Sequence, residues 1–469
     1  MNAKKIIALV LAVLLAALTL FSCRGRGEAP DSTLTRPKEI DTTPVEIGEQ
    51  TDYAALAAER LDGVAEAPAS DFTYVKANGV VRITGYTGEA STVRVPCTLE
   101  GVSVTSIADG VFAEHTEIEV LILPDTLLYL GKGILKNCTS LQYLECALMG
   151  EDAGHAQFLG YLFGADTHEN NPRDIPPALK LVRLTGNATA LSDYAFFDCN
   201  DLLAVILPES LQTVGKFAFF NCATMESVVG LEHLTEIGVY AFADCVALKE
   251  TVFGTSLTRM GYAALLGCDG LISVTLPFVG ETATENTYLG YIFGAEYVEF
   301  SKGYYPPRLA RVELLSGCET LGNYAFFECE SLKEVLLPEG LTTVGARAFY
   351  LCEALWSVTL PDSLKTLREA AFHGCVSLKE ITFGAQLSKI GANAFYGCVS
   401  LTEVALPSAL KALPASCFAD CISLKTVKLG GVTSVGAQAF RNCKALKAVV
   451  ASGKVSFEEG NDCAENVLK

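Results

Sequence analysis

Cationic side chains are scarce in this chain: 35 Lys and Arg stand against 54 Asp and Glu, a formal charge of −19. Such a surface repels phosphate backbones and anionic lipid headgroups, which argues against nucleic-acid binding and electrostatic attachment to a membrane. Charged residues of both signs make up only 19%, and there are 5 histidines. No Cys-x-x-Cys pair, His-Glu-x-x-His, Gly-x-Ser-x-Gly or complete phosphate loop occurs, so the standard hydrolase and metal motifs are absent. Long apolar runs are lacking too. The one uncharged stretch, residues 6–21, is shorter than the roughly 20 residues that cross a bilayer comfortably, which excludes a polytopic membrane protein. What is present is apolar: 50% of the 469 residues are hydrophobic, with 40 Gly and 17 Cys, so the chain buries a large core and is not wholly disordered.

The N-terminus has the layout of a signal peptide, with Lys4 and Lys5 before the apolar run and a short polar end at Ser22. Leu20-Phe21-Ser22-Cys23 resembles the bacterial lipobox, in which a cysteine after a small residue is lipidated and becomes the mature N-terminus; Phe21 is bulkier than that pattern prefers. This makes 1–22 a signal peptide and Cys23 a lipid anchor, against cleavage without lipid or an uncleaved anchor. Residues 23–70 then lose apolar periodicity, with Pro30, Pro37, Pro44 and Pro68 among Thr, Asp, Glu and Gly. They read as a flexible tether, with a brief helix at 52–61.

A single pattern recurs every 23 residues, clearest in Leu332-x-x-Val335-x-Leu337-Pro338-x-x-Leu341-x-x-Val344-Gly345-x-x-Ala348-Phe349-x-x-Cys352. Cysteines fall in one slot at Cys138, then Cys199, Cys222, Cys245 and Cys268, then Cys329, Cys352, Cys375, Cys398 and Cys421, with Cys443 one residue early. A fixed period of this length means a solenoid whose coils bury a core only by stacking. Within a coil, Val335 and Leu337 alternate as a strand closed by Pro338, Leu341 and Val344 start a second short segment, and Ala348, Phe349 and Cys352 suit one helical or 3₁₀ turn. Some 14 coils at about 4.8 Å each give a rod on the order of 65 Å. Above this period lies a second. The two gaps of 61, Cys138 to Cys199 and Cys268 to Cys329, start 130 residues apart, and at that offset Leu159-Gly160-Tyr161-Leu162-Phe163-Gly164-Ala165 matches Leu289-Gly290-Tyr291-Ile292-Phe293-Gly294-Ala295. A block of about 130 residues is therefore duplicated in tandem, each copy with one enlarged coil, near 146–180 and 276–310.

This Leu-x-x-Val-x-Leu-Pro, Leu-x-x-Val-Gly, Ala-Phe-x-x-Cys repeat resembles the BspA-like leucine-rich repeats of bacterial and some protist surface proteins. The segment Val81-Arg82-Ile83-Thr84-Gly85-Tyr86, followed by Val93-Arg94-Val95-Pro96, looks like that family's β-rich opening. Local departures are His115 in the cysteine slot, Leu135 and Leu265 for Phe, and Cys417 for Ala. The resemblance implies a mainly β, right-handed leucine-rich repeat solenoid with a parallel sheet, a β-rich cap at 71–107, coils over 108–451 and a C-terminal tail at 452–469. It also implies a cell-surface or periplasmic protein, with adhesion to extracellular proteins or other cells as the leading role. Fold alone does not fix function. A glycan-binding lipoprotein of a nutrient-capture system is the alternative, and an enzyme with a site assembled across coils is a weaker third. The expectation is a monomer without catalytic activity or cofactor.

Sixteen cysteines lie beyond Cys23 in a chain expected to be exported, which invites a disulfide reading. Equivalent slots in adjacent coils would place Cβ atoms about 4.8 Å apart with parallel vectors, too far for the roughly 3.8 Å of a disulfide. Cys199, Cys222, Cys245, Cys329, Cys352, Cys375, Cys398 and Cys421 are therefore expected to form a thiol ladder. It runs beside a phenylalanine ladder of Phe196, Phe219, Phe242, Phe326, Phe349, Phe372, Phe395, Phe418 and Phe440. Cys97, Cys146, Cys318 and Cys463 are out of register and their pairing is open. Asp152, His155, Asp166, His168 and Glu169 gather ligand-type residues in the first excursion. The second copy replaces His168 by Val298, so a solvated loop without metal is expected. Recognition is expected at the excursion tips. The first reads Asp166-Thr167-His168-Glu169, whereas the second is rich in aromatics, which makes Tyr297, Phe300 and Tyr304 the candidate binding residues.

Overall fold

The computed structural model describes residues 41–469 except 62, 156, 462, 463, 465 and 469. The signal segment 1–22, Cys23, the tether as far as residue 40, and Cys463 lie outside the described residues. All described residues belong to one unit, Arg36–Lys469.

The chain winds into a parallel β-solenoid of about 16 turns of about 23 residues, with little helix. One row of three- and four-residue strands carries an inward side chain at its centre, most often valine. Val205 of strand Ala204–Ile206 pairs with Val228 of Ser227–Val229, a step of 23. The second row consists of two-residue strands such as Ala190–Leu191, Thr213–Val214 and Glu236–Ile237, again in parallel. Each enlarged coil lengthens one step to 38: Tyr143 pairs with Leu181, and Ser273 with Arg311. The stack exceeds the length implied by the cysteine register because its ends use other residues. Strand Val80–Tyr86 already pairs in parallel with Val102–Ile107, and Ser456–Phe457 extends the second row past Cys443, the last cysteine of the repeat register.

The Ala-Phe-x-x-Cys segment forms consecutive tight turns where a helical or 3₁₀ turn was expected. The reason is where its amides point: Tyr194, Phe196 and Asp198 donate to Lys216, Ala218 and Phe220 of the next coil, at 2.7–2.9 Å. Sending alternate amides along the stack forces Tyr194 and Asp198 to positive φ, 62° and 60°. That costs about 1–2 kcal/mol per non-glycine residue, which the inter-coil bonds offset. True 3₁₀ helices occur in the enlarged coils, at Leu159–Phe163 and Leu289–Phe293.

Inside the coils the phenylalanine rings stack with their planes almost parallel. Phe196–Phe219 and Phe219–Phe242 centroids are 5.1 Å apart, and the row from Phe326 through Phe349, Phe372, Phe395 and Phe418 to Phe440 has spacings of 4.8–5.8 Å. Cysteine beside them does more than fill space. Cys222 Sγ donates to the Phe196 carbonyl of the preceding coil at 3.1 Å, and Cys245, Cys268, Cys352 and Cys375 repeat this at 3.1 Å. A small apolar side chain with one weak donor thus satisfies a buried acceptor in each step. Cys199 and Cys329 open their blocks and are buried as well, as are Cys398 and Cys421. None of the described cysteines forms a disulfide; Cys97 is exposed, and Cys146 and Cys318 are buried thiols.

The segment expected to be a loose tether is instead a strap over its described part. Asp41 pairs with Lys333, Gln50 Nε2 donates to Glu250, and Tyr53 donates to Glu226 at 2.8 Å. Helix α1, Tyr53–Leu61, then buries Tyr53 and Ala57 against the outward side chains Val120, Ile122, Tyr143, Leu181, Ala204 and Ile206. These outward positions are apolar in the early coils, whereas later coils carry Glu334, Glu380 and Glu403 at equivalent places. Apolar burial therefore decides where the strap docks.

Candidate functional site: the excursions and the turn side

Both enlarged coils are built on one frame. Each 3₁₀ helix ends at a glycine in the left-handed region, Gly164 (φ 97°) and Gly294 (φ 99°), which a β-carbon would strain. In the first copy Gly160 admits Asn171, whose Oδ1 accepts the Gly160 amide at 3.1 Å while its Nδ2 donates to the Phe197 carbonyl at 2.7 Å. A Cβ at Gly160 would lie 2.3 Å from that Oδ1. The buried Asn171 thus fastens the loop to the following coil. In the second copy Ser301 takes its place, and Tyr305 donates to the Phe327 carbonyl at 3.0 Å.

The candidate binding residues divide. Tyr297 and Phe300 are 61% and 60% exposed, and their rings meet edge to face at 6.2 Å. Tyr304 is half-buried against the core, its Cδ1 beside the Gly294 backbone, so it belongs to the frame more than to the tip. Phe293 is fully buried and Tyr291 partly so.

The ligand-type residues of the first excursion are dispersed. His155 Nδ1 lies 2.9 Å from Asp152, which holds the imidazole pKa up, while the Gly154 amide and then His155 hold the Asp152 carboxyl pKa down. Asp166 pairs with Lys132, and that contact lowers its pKa. His168 stacks on Tyr194 at 4.1 Å and 16°, and burial lowers its pKa. Glu169 belongs to the short 3₁₀ helix His168–Asn170. Among the described residues no group of three His, Cys, Asp or Glu side chains could hold a metal ion.

The sequence reading overlooked the outer aromatic columns. On the turn side, flanking the buried phenylalanine row, Tyr194, Phe217 and Tyr240 stack at 5.3 and 5.1 Å. Phe197 and Phe220 stack at 5.3 Å. In the second block Phe327, Tyr350, His373 and Tyr396 stack at 4.7–5.2 Å. The signal was there: aromatics recur at the 23-residue period two places before and one place after the core phenylalanine. No described helix is long and apolar enough to cross a membrane.

Comparison with known proteins agrees with this architecture. The family described as BspA type leucine rich repeat region matches in six copies, over residues 97–158, 178–290, 301–383 and 348–461. Among solved structures, a leucine-rich repeat protein from Bacteroides ovatus is 20% identical, covering 85% of this chain and 99% of its own, with a TM-score of 0.32. A leucine rich cell surface protein from Faecalibacterium prausnitzii is 21% identical (84% and 96% covered, TM-score 0.28), and the pneumococcal vaccine antigen PcpA is 16% identical (83% and 94%, TM-score 0.30). No curated protein matches. With its repeat model matched over most of the length, the chain belongs to the BspA-type leucine-rich repeat family.

Proposed function

We propose that this chain is an exported, non-enzymatic binding protein, lipid-anchored through Cys23, that acts in adhesion to extracellular proteins or other cells. The observation that carries this reading is the second tip, where Tyr297 and Phe300 are held ring to ring and largely exposed on a fastened frame. Rigid exposed aromatics supply contact area at low entropy cost, as binding loops require. The strap supports the same placement: it occupies the outer strand face of the early coils, leaving the turn side and its excursions open.

The test is binding of the purified chain to a panel of extracellular matrix proteins, beside a glycan array, with Tyr297→Ser/Phe300→Ser as the comparison. A matrix ligand whose affinity falls by about 2 kcal/mol or more in the variant supports the reading, since buried aromatics are typical hot spots. Binding on the glycan array alone would favour nutrient capture instead. A variant with unchanged affinity would reject the tip.

A further inference from the structure

The two halves of the duplication treat their outer aromatic columns differently. In the second block the chain's own arginines lie over two of the outer tyrosines. Arg347 lies over Tyr324, 5.7 Å from the centroid, and donates to its hydroxyl at 2.7 Å. Arg441 lies over Tyr396 at 5.8 Å, donating to its hydroxyl at 3.1 Å and to Asp420 at 2.9 Å. Tyr324 corresponds to Tyr194 at the 130-residue offset, and Arg347 to Phe217. The first block therefore presents the same kind of column with no guanidinium on it: half-buried Tyr194, Phe217 and Tyr240 in one row, Phe197 and Phe220 in the other.

The ends of this stripe are closed by the excursions. His168 stacks on Tyr194 at one end, and Tyr262, 6.0 Å from Tyr240, bonds the Gly294 carbonyl at the other. Three coil steps separate the ends, about 15 Å, the length of some five residues of extended chain. Carboxylates flank it, Asp193 acting on Tyr194 and Glu296 on Tyr240. Asp193, Asp198, Asp244 and Glu296 make no ion pair among the described residues. Asp244 is held up in pKa by burial and then by Asp269. Lys216, beside Phe217, is a nearby cation on the sequence.

We infer that this stripe docks an extended, arginine- or lysine-bearing segment of a partner protein, its cationic groups lying on the rings as Arg347 and Arg441 do in the second block. Aromatic faces and unpaired carboxylates together favour a cation over a neutral ligand. The surface is separate from the Tyr297 and Phe300 tip and names a partner chemistry that the tip does not.

The experiment uses the full chain and a fluorescein-labelled Arg-Gly repeat peptide, read by fluorescence anisotropy at about 150 mM salt, where screening suppresses distant charges. Its counterpart with citrulline for arginine keeps shape and loses charge. The arginine peptide should bind and the citrulline peptide should not. Phe217→Arg supplies an internal guanidinium at the position the second block tolerates, and should weaken the peptide by about 10-fold. The reciprocal Arg347→Phe should open a second site and raise the stoichiometry. Equal binding of the citrulline peptide, or unchanged affinity in Phe217→Arg, overturns the proposal. So does an equal loss on Glu380→Gln/Glu403→Gln, which would reveal diffuse charge attraction, or displacement by a neutral oligosaccharide, which would assign the stripe to glycans. Tyr297→Ser/Phe300→Ser should leave peptide binding intact, so the two surfaces fail or stand separately.

Discussion

Replacing Phe349 by alanine removes one ring from the middle of the buried stack. The ring lies 5.1 Å from Phe326 and 4.8 Å from Phe372, close to parallel with both, and is fully buried. Its neighbours cannot close the gap, because the spacing of the coils is fixed by backbone bonds such as Phe326 to Ala348 and Phe349 to Ala371, both 2.7 Å. A void of about 100 Å³ at about 24 cal/mol per Å³ costs about 2.4 kcal/mol, and the lost transfer of the ring adds about 2 more. The expected destabilisation is therefore about 4 kcal/mol. It should be local, since solenoid coils couple mainly to their neighbours. Trp356, the single tryptophan, sits in the following coil and reports urea unfolding there. Hydrogen exchange should accelerate in coils around 334–398 and stay unchanged around 181–252. A loss below about 1.5 kcal/mol would show that the stack can collapse, and uniform acceleration over all coils would refute the nearest-neighbour argument.

The thiols Cys352, Cys375 and Cys398 should label slowly in the native state, because burial raises their pKa and shields sulfur; rapid labelling of all three without denaturant would refute this. His373, stacked between Tyr350 and Tyr396, has its pKa lowered from 6.5 to about 4, first by burial and then by Arg347. Its folded value lies below the unfolded one, so its contribution is complete above pH 6.5 and is lost as pH falls toward 4. His373→Tyr should flatten that part of a pH–stability profile measured by urea unfolding, and an unchanged profile would assign the acid sensitivity elsewhere. Cys23→Ala should release the chain from the membrane fraction or leave it unprocessed, whereas unchanged detergent partitioning would refute a lipid at Cys23.

The repeat made the inward half of this protein legible in its sequence. A residue that faces the core of one coil faces it in all, so Val335, Leu341, Phe349 and Cys352 announce their environment through periodicity, and the two 61-residue gaps locate both enlarged coils. Outward positions carry no such constraint, since each answers to a different neighbour. Val120, Ile122 and Ile206 look like ordinary strand residues until α1 is seen lying on them, and a Pro-interrupted segment becomes a strap only because those side chains are apolar. The excursion tips show the same division. Tyr297, Phe300 and Tyr304 are alike in sequence, but Tyr304 folds back on the frame beside Gly294 while the other two stay in water. His155, Asp166 and His168 are close along the chain and are claimed by three different partners in space. The sequence by itself determined the coil, its register and its duplication, because stacking repeats one local burial pattern many times. Which outward side chains are covered, and by what, was decided by tertiary contacts between segments as distant as Tyr53 and Glu226, which no local pattern records.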